Sequence, residues 1–145
     1  MYSHDYKKKN ISESYVSIGS NIGNSKKLIK KIIQFLNRNN YIHIRSYSNL
    51  YITKAVHYRE QPSFYNIIIK IFTILSPYQL INIFQYLEKK YYKKKYFCSY
   101  MPRKLDIDIL LYSNCYIKKK KIFLPHQNMF KRKFIKKLLY EFLNK

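Results

Sequence analysis

The chain has 145 residues and a formal net charge of +22, and 47% of its residues are hydrophobic. This length is typical of one domain, and so high a hydrophobic fraction excludes an intrinsically disordered chain. Two cysteines, Cys98 and Cys115, are too few for a disulfide framework or a structural zinc site. The N-terminus lacks the apolar core of a signal peptide, and no apolar stretch is long enough to cross a bilayer. We predict a single cytoplasmic domain over residues 1–145, with residues 1–13 as a flexible N-terminal extension.

The basic excess has two explanations. Lysine and arginine total 29, whereas aspartate and glutamate total only 7. The abundance of Ile, Asn, Tyr and Lys, whose codons are AT-rich, favours mutational drift toward lysine at exposed positions. The other explanation is attraction of polyanions, either nucleic acid or nucleotide phosphates. We favour drift and interpret the lysines at 118–121 as the solvated surface of a hairpin.

The first predicted element is a strand over residues 15–18, followed by a turn that contains both glycines of the chain, Gly19 and Gly23. A helix ending near Asn39 comes next, because apolar residues recur there at helical spacing. These apolar residues are Leu28, Ile29, Ile32, Ile33 and Leu36. Residues 41–56 alternate well enough for a second strand. The β-branched run within residues 64–75 predicts a third, central strand.

Ser76 and Pro77 predict an N-cap with proline at the first helical position, so a second helix begins there. A basic stretch without periodicity, residues 93–103, predicts a loop. The remaining elements are a fourth strand over 104–112, a short hairpin over 114–126 and a terminal helix over 130–143. This order is the βαββαβ arrangement of ferredoxin-like folds, so we predict an α+β fold with an antiparallel sheet and helices on one of its faces. The fold alone decides no function.

Two carboxylates interrupt the apolar fourth strand, "LDIDILLY". Alternate residues share a face of a strand, so Asp106 and Asp108 project together about 6.6 Å apart, and Leu105, Ile107 and Ile109 enter the core. Two carboxylates this close raise each other's pKa unless a cation neutralises them. Oxygen ligands favour Mg²⁺, which completes its shell with waters and substrate phosphates. We favour a metal site for phosphoryl or pyrophosphoryl transfer over the alternative, two solvent-facing aspartates.

Three cationic side chains are candidates for the same site. Arg103 precedes Asp106 by three residues and can supply a bidentate phosphate contact, and His126 and Arg132 are further loop candidates. The glycine-bearing "GSNIGN" lacks the P-loop pattern, so we interpret it as a strand-to-helix turn.

Six stretches, in their order and spacing, resemble the 6-hydroxymethyl-7,8-dihydropterin pyrophosphokinases. They are "YVSIGSNIGN", "YITKAV", "EQPSFYN", "LEKKYYKKK", "YMPRKLDIDILLY" and "LPHQNMFKRKF", and they extend from about Tyr15 to Phe134. The resemblance implies transfer of pyrophosphate from ATP to the pterin hydroxymethyl group, giving AMP and the pterin diphosphate in folate biosynthesis. It also implies ATP as co-substrate and two Mg²⁺ ions. We expect a monomer that binds these small molecules, and neither a membrane nor nucleic acid is an expected partner.

The resemblance further implies a role for each matching residue. Asp106 and Asp108 would hold the two Mg²⁺ ions, and Arg103 would be the arginine of the catalytic loop. The implied ATP-binding residues are Gln85, Glu88, Lys93, Lys95, Tyr100, Arg103, His126 and Arg132. The implied pterin-binding residues are Thr53, Val56, Phe64, Asn66 and Phe134, with the pterin between the two phenylalanine rings and Asn66 hydrogen-bonded to its edge.

The chain departs from the family pattern in its basic loop. The usual Trp-Gly-Pro-Arg stands here as "YMPR", and the usual Gly-Arg-x-Arg stands as "YKKK". Lysine keeps the charge of arginine but not its bidentate fork, so phosphate binding should weaken. Two alternatives therefore stay open: a decayed pyrophosphokinase retained for binding or assembly, and a basic nucleic-acid-binding module on a ferredoxin-like sheet. Two observations oppose the nucleic-acid-binding alternative: the sequence lacks an RNP-type aromatic block, and Asp106 and Asp108 would repel phosphates.

Overall fold

The structure is a computed structural model that describes residues 10–54, 62–91, 105–113, 115–127, 129 and 131–144. The described residues form three helices and seven strands, which confirms the predicted α+β class. The elements are β1 (Ser12–Ser20), α1 (Ser25–Arg38), β2 (Ile42–Tyr47), β3 (Tyr51–Thr53), β4 (Phe64–Thr73), α2 (Pro77–Tyr91), β5 (Leu105–Tyr112), β6 (Ile117–Lys118), β7 (Phe123–Leu124) and α3 (Lys133–Leu143).

The main sheet has the strand order β2-β4-β1-β5, and β3 pairs with β4 beyond the end of β2. All of these pairs are antiparallel. α1 and α2 therefore each connect two strands that have a third strand between them, as the βαββαβ arrangement requires. β6 and β7 form the predicted hairpin as a separate two-stranded sheet. The arrangement makes β1 a central strand and places β5 at the edge of the sheet.

Apolar side chains cover both faces of the sheet. α1 and α2 pack on one face, in a core cluster with Val16, Ile69 and Ile107. α3 packs in a second cluster with Tyr15, Ile68 and Leu110, which alternate to the opposite face of their strands. The expectation of helices on one face is therefore confirmed for α1 and α2, and the additional C-terminal helix α3 buries the apolar patch that these three residues give to the second face.

Several boundaries differ from the predictions. β1 begins at Ser12, inside the segment predicted as an N-terminal extension, and Ser12 pairs there with Thr73. The single strand predicted over 41–56 is divided, because the Ser48 hydroxyl accepts the Ile68 N–H (2.9 Å) in place of a backbone carbonyl. The terminal helix begins at Lys133, three residues later than predicted.

The start of α2 is as predicted. The Ser76 hydroxyl accepts the Gln79 N–H (3.2 Å), and the Gln79 side-chain oxygen accepts the Ser76 N–H (2.9 Å). This reciprocal pair is a capping box, and it fixes where the helix starts. From that start, α2 carries Gln85 and Glu88 alongside β5. None of the helices in the described ranges is long and apolar enough to cross a membrane.

Candidate active site

The two faces of β5 have opposite chemistry, as the alternation predicted. Leu105, Ile107 and Ile109 are 4%, 4% and 5% exposed and belong to the core beneath α1 and α2. On the other face, Asp106 is exposed and Asp108 is half-buried. We refer to Asp106 and Asp108 as the carboxylate pair. β5 therefore holds two acids on the face opposite to the core cluster beneath α1 and α2.

Glu88 adds a third carboxylate to this pair. Its Oε1 accepts the N–H of Ile107 (2.9 Å), which attaches α2 to the outer side of β5. Burial raises the pKa of Glu88; the Ile107 hydrogen bond opposes this shift, and the charges of Asp106 and Asp108 reinforce it. Three of the 7 acidic residues of the chain therefore interact with one another.

Asp108 lies between charges of both signs. Burial raises the pKa of its carboxyl above the ordinary value, and Asp106 adds to the shift. His126 and Arg132 act in the opposite direction, and the His126 Nε2 lies 3.9 Å from the Asp108 Oδ1. The predicted loop candidates His126 and Arg132 are thus brought to the carboxylate pair.

His126 and Arg132 reach this position from the segment that follows β7. The N–H of His126 donates to the Leu110 carbonyl (2.9 Å), so the backbone after β7 is joined to β5. The N–H of Met129 then donates to the His126 carbonyl (3.0 Å), and Arg132 is the N-cap residue of α3.

A cleft of about 230 Å³ lies between α2, β5 and the β6–β7 hairpin. Three predicted ATP-binding residues, Gln85, Glu88 and His126, line it together with Asp108. Lys120 and Lys121 line it from the hairpin. The cleft therefore combines a cationic wall with the acidic residues at the edge of β5.

The predicted pterin-binding residues lie on the other side of the carboxylate pair. In the sheet register, Gly19 is directly opposite Asn66 on β4 and directly opposite Asp106 on β5. Asn66 and Asp106 are therefore two strands apart, about 10 Å at ordinary strand spacing. One row of the sheet connects the amide to the first carboxylate of the pair.

Asn66 is 7% exposed, and its side-chain amide is oriented by its neighbours. The Nδ2 group donates to the Tyr51 carbonyl and to the Thr53 hydroxyl, both at 3.2 Å. The Asn66 Oδ1 lies above Gly19, where an added Cβ would be only 2.9 Å from it. We call Thr53, Phe64 and Asn66 the amide site; Phe64 pairs directly with Thr53 across the strands.

Phe134 is half-buried on the first turn of α3, and its ring stacks on that of Tyr51, with 6.0 Å between centroids and 11° between planes. The predicted sandwich of a pterin between Phe64 and Phe134 stays a prediction. The predicted site residues outside the described residues are Val56, Lys93, Lys95, Tyr100 and Arg103.

The donor set of the carboxylate pair fits Mg²⁺. Among the described residues, no group of three or more His, Cys, Asp or Glu side chains could enclose a metal ion. Mg²⁺ does not require such a cage, because one or two carboxylates with water and substrate phosphates complete its shell. The pair offers oxygen ligands only, and the mutual repulsion of the acids favours a cation between them.

The family model for 7,8-dihydro-6-hydroxymethylpterin-pyrophosphokinase matches residues 15–144. The chain belongs to this family. The 2-amino-4-hydroxy-6-hydroxymethyldihydropteridine pyrophosphokinase of Aquifex aeolicus is 35% identical over 120 residues, which cover 83% of this chain and 73% of that protein. The protein of the same name from Bacillus subtilis is 29% identical over 122 residues, which cover 84% of this chain and 72% of that protein.

Longer proteins also match. A folate synthesis bifunctional protein of Arabidopsis thaliana is 33% identical over 123 residues, which cover 85% of this chain. The chain spans only 25% of the length of that relative. The family match confirms the resemblance carried by the six sequence stretches.

Sequence reasoning missed three residues of the candidate site: Gly19, Lys120 and Lys121. Gly19 was predicted to be part of a turn, but it lies inside β1, between Asn66 and Asp106. A glycine inside a strand pattern is a signal of close approach, and that signal was available. The two lysines are exposed, as predicted, yet they line the cleft. Nothing in the sequence distinguished them from the other lysines.

Proposed function

We propose that this chain transfers pyrophosphate from ATP to the hydroxymethyl group of 6-hydroxymethyl-7,8-dihydropterin in folate biosynthesis. The observation that carries the proposal is the order of three parts along one end of the molecule. The cleft lies beside β5, the carboxylate pair lies on β5, and the amide site lies two strands further along the row through Gly19. A donor in the cleft and an acceptor at the amide site would meet at the carboxylate pair.

The cleft is the proposed nucleotide site. Lys120 and Lys121 give it the positive charge that a polyphosphate needs, and Gln85 offers an amide for polar contacts. His126 and Arg132 both act to lower the pKa of the Asp108 carboxyl. We assign Lys93, Lys95, Tyr100 and Arg103 to the same nucleotide from the family pattern.

Asp106 and Asp108 are the proposed ligands of two Mg²⁺ ions. When bound, Mg²⁺ supplies charge neutralisation at the phosphate oxygens and a template that aligns donor and acceptor. The strand holds both carboxylates on one face, so their positions do not depend on a loop. Cationic Arg132 beside Asp108 limits the excess of negative charge when no metal is bound.

The amide site is the proposed pterin site. Asn66 provides an amide whose plane is fixed by the Tyr51 carbonyl and the Thr53 hydroxyl. Phe64 and Phe134 supply aromatic area for a flat heterocycle, and Val56 is added from the family pattern. A few oriented polar groups among aromatic side chains are typical of small-molecule sites.

The reaction follows from this placement. The pterin hydroxyl oxygen attacks the β-phosphorus of ATP, and the bond between that phosphorus and the oxygen it shares with the α-phosphate breaks. The hydroxyl proton leaves to solvent, and AMP and the pterin diphosphate are the products. Such transfers need positioning and charge stabilisation more than covalent help from the protein. We extend the proposal to a cytoplasmic monomer.

The test is the identity of the nucleotide product. Purified protein, MgATP and 6-hydroxymethyl-7,8-dihydropterin should give AMP and pterin diphosphate in equal amounts, measured by chromatography with mass detection. EDTA should stop the reaction, and a 6-methyl pterin without the hydroxyl should give no AMP. Formation of ADP would contradict the proposal. Binding of both substrates by folded protein without AMP release would identify a decayed pyrophosphokinase.

A further inference from the structure

Tyr51, on β3, contacts both halves of the proposed pterin site. Its ring is parallel to that of Phe134, at 11° and 6.0 Å between centroids. Its carbonyl accepts a hydrogen bond from Asn66 Nδ2 (3.2 Å). Tyr51 is also the direct cross-strand partner of Asn66. One residue therefore connects the aromatic side chain on α3 with the amide on β4.

The ring of Tyr51 has two neighbours on α3. The Lys137 ammonium lies 5.3 Å from its centroid, and Phe134 lies parallel to it. Lys137 and Phe134 are three positions apart on α3, so they project from the same side of the helix. Tyr51 is also half-buried against the cluster of Tyr15, Ile68 and Leu110. These contacts leave the ring little freedom to turn.

The start of α3 depends on tertiary contacts of this kind. Its N-cap residue, Arg132, makes no capping side-chain hydrogen bond within the described part of the chain, and the first turn contains no acidic residue. A helix terminus without these features is locally weak. Phe134 is the second residue of α3, in that weak turn. Its ring orientation is therefore set by what it stacks on.

We propose that Tyr51 is a positioning residue for the pterin, which fixes the plane of the Phe134 ring and the direction of the Asn66 amide. The inference rests on the proposed function. Tyr51 presents the opposite face of Phe134 to the flat heterocycle and, through its carbonyl, keeps the Asn66 Oδ1 above Gly19. A residue that was only apolar could fill the same space but would not orient the Phe134 ring.

The test compares Tyr51→Leu with Tyr51→Phe. Leucine keeps apolar volume against the α3 cluster and the backbone carbonyl but loses the stacking, whereas phenylalanine keeps the stacking and loses only the hydroxyl. For Tyr51→Leu we expect the pterin KM to rise about two- to tenfold, the range of aromatic pair energies, with kcat and the ATP KM near wild type. For Tyr51→Phe we expect the wild-type values. Calorimetric titration of the pterin, with a non-hydrolysable ATP analogue present, should show the same difference in affinity.

The outcomes separate the two proposals. Wild-type protein that binds the nucleotide but not the pterin would overturn the proposed function, and this inference with it. Wild-type protein that binds the pterin, with a Tyr51→Leu variant of equal pterin affinity, would overturn the role of Tyr51 alone. An equal rise in the ATP and pterin KM values would indicate general damage to the fold and would also overturn it.

An exposed residue provides the decisive variant if Tyr51→Leu does not fold. Lys137→Met removes the cation above the Tyr51 ring at a surface position. Lys136→Met is the matched control, because adjacent helical residues project about 100° apart. We expect Lys137→Met to weaken pterin affinity by about twofold relative to Lys136→Met, with equal nucleotide affinity. Equal pterin affinities in the two variants would overturn the proposal.

Discussion

The face of the sheet that carries the site has two acidic regions with different neighbours. At one end, Glu13 lies 3.1 Å from the Lys70 ammonium, which also lies 5.8 Å from the centroid of the Tyr15 ring. We call this the paired end. At the other end, Asp106 and Asp108 interact with Glu88, and we call this the acidic end. A carboxylate therefore stabilises the fold at the paired end, whereas carboxylates form part of the candidate site at the acidic end.

The sign of the neighbouring charge makes the difference. At the paired end, the hydrogen bond with Glu13 raises the pKa of Lys70, so Glu13 stabilises the charge of the lysine. At the acidic end, burial raises the pKa of Glu88 and of Asp108, and neighbouring carboxylates add to both shifts. His126 and Arg132 oppose the shift at Asp108 but do not reverse it. Like charges held together at a cleft are typical of functional sites.

The largest expected effect comes from removing one charge at the acidic end. Asp108→Asn keeps the size of the side chain and should lower the rate of AMP formation by about a hundred- to a thousandfold, the range for loss of one electrostatic stabiliser. It should also reduce the rise in melting temperature that MgATP produces. Glu13→Gln is the matched change at the paired end and should leave AMP formation at the wild-type rate. If Asp108→Asn and Glu13→Gln lowered the rate of AMP formation equally, the acidic end would have no special role in the reaction.

The next largest effect is expected at Gly19, between the amide site and the carboxylate pair. In Gly19→Ala, the new Cβ would lie 2.9 Å from the Asn66 Oδ1, so the amide must move. We expect the pterin KM to rise about ten- to a hundredfold, as for loss of one buried hydrogen bond, with the ATP KM unchanged.

Gly23→Ala is the control for this substitution. Gly23 has a φ of +38° and open space around its Cβ position, so alanine there is strained without touching the site. It should lower the melting temperature and leave the pterin KM at the wild-type value. A wild-type pterin KM in Gly19→Ala would show that Asn66 does not need its present position.

The smallest effect concerns stability rather than rate. The pKa of Glu88 in the folded protein is raised above its ordinary value of 4.5, so the folded state binds the proton more tightly than the unfolded state. The free energy of unfolding should therefore fall as pH rises from about 4.5 through the raised pKa. Glu88→Gln keeps an oxygen that accepts the Ile107 N–H. Because glutamine does not ionise, the variant does not lose this stability as pH rises. Without metal, its melting temperature should rise relative to wild type across that window.

Thermal denaturation in EDTA from about pH 4 to about pH 8 measures the difference. Parallel curves for wild type and Glu88→Gln would mean that Glu88 carries no penalty at the acidic end. The higher melting temperature of Glu88→Gln can also be compared with MgATP present in both samples. If the difference from wild type then disappears, a bound cation relieves the cost of ionising Glu88 at the acidic end.

Much of the acidic end could be predicted from local sequence. The alternation in "LDIDILLY" predicted that Leu105, Ile107 and Ile109 are buried, because a strand has a period of two regardless of its partners. Ser76 and Pro77 predicted the start of α2, because a capping box is complete within four residues. The family resemblance is the source of the predicted roles of Asn66, His126 and the other matching positions, and these roles stay predictions.

Other features depend on pairing between distant segments and could not be predicted. The break after β2 requires the Ser48 hydroxyl to meet Ile68, which is 20 residues away. The position of α3 depends on an apolar patch that Tyr15, Ile68 and Leu110 form only once three strands have paired. The place of Gly19 between Asn66 and Asp106 needs the register of β1 with both neighbours. Local periodicity carries no information about register between strands.

The hydrogen bond between Glu88 and Ile107 has a consequence for self-association. Among the described residues β5 is the last strand on its side of the sheet, and an open N–H on such a strand is a template for pairing with another chain. The Glu88 carboxylate covers this donor in each molecule. A substitution that shortens this side chain, such as Glu88→Ala, would uncover it. The side chain assigned to nucleotide binding thus also helps to keep the sheet from growing by addition of a second copy.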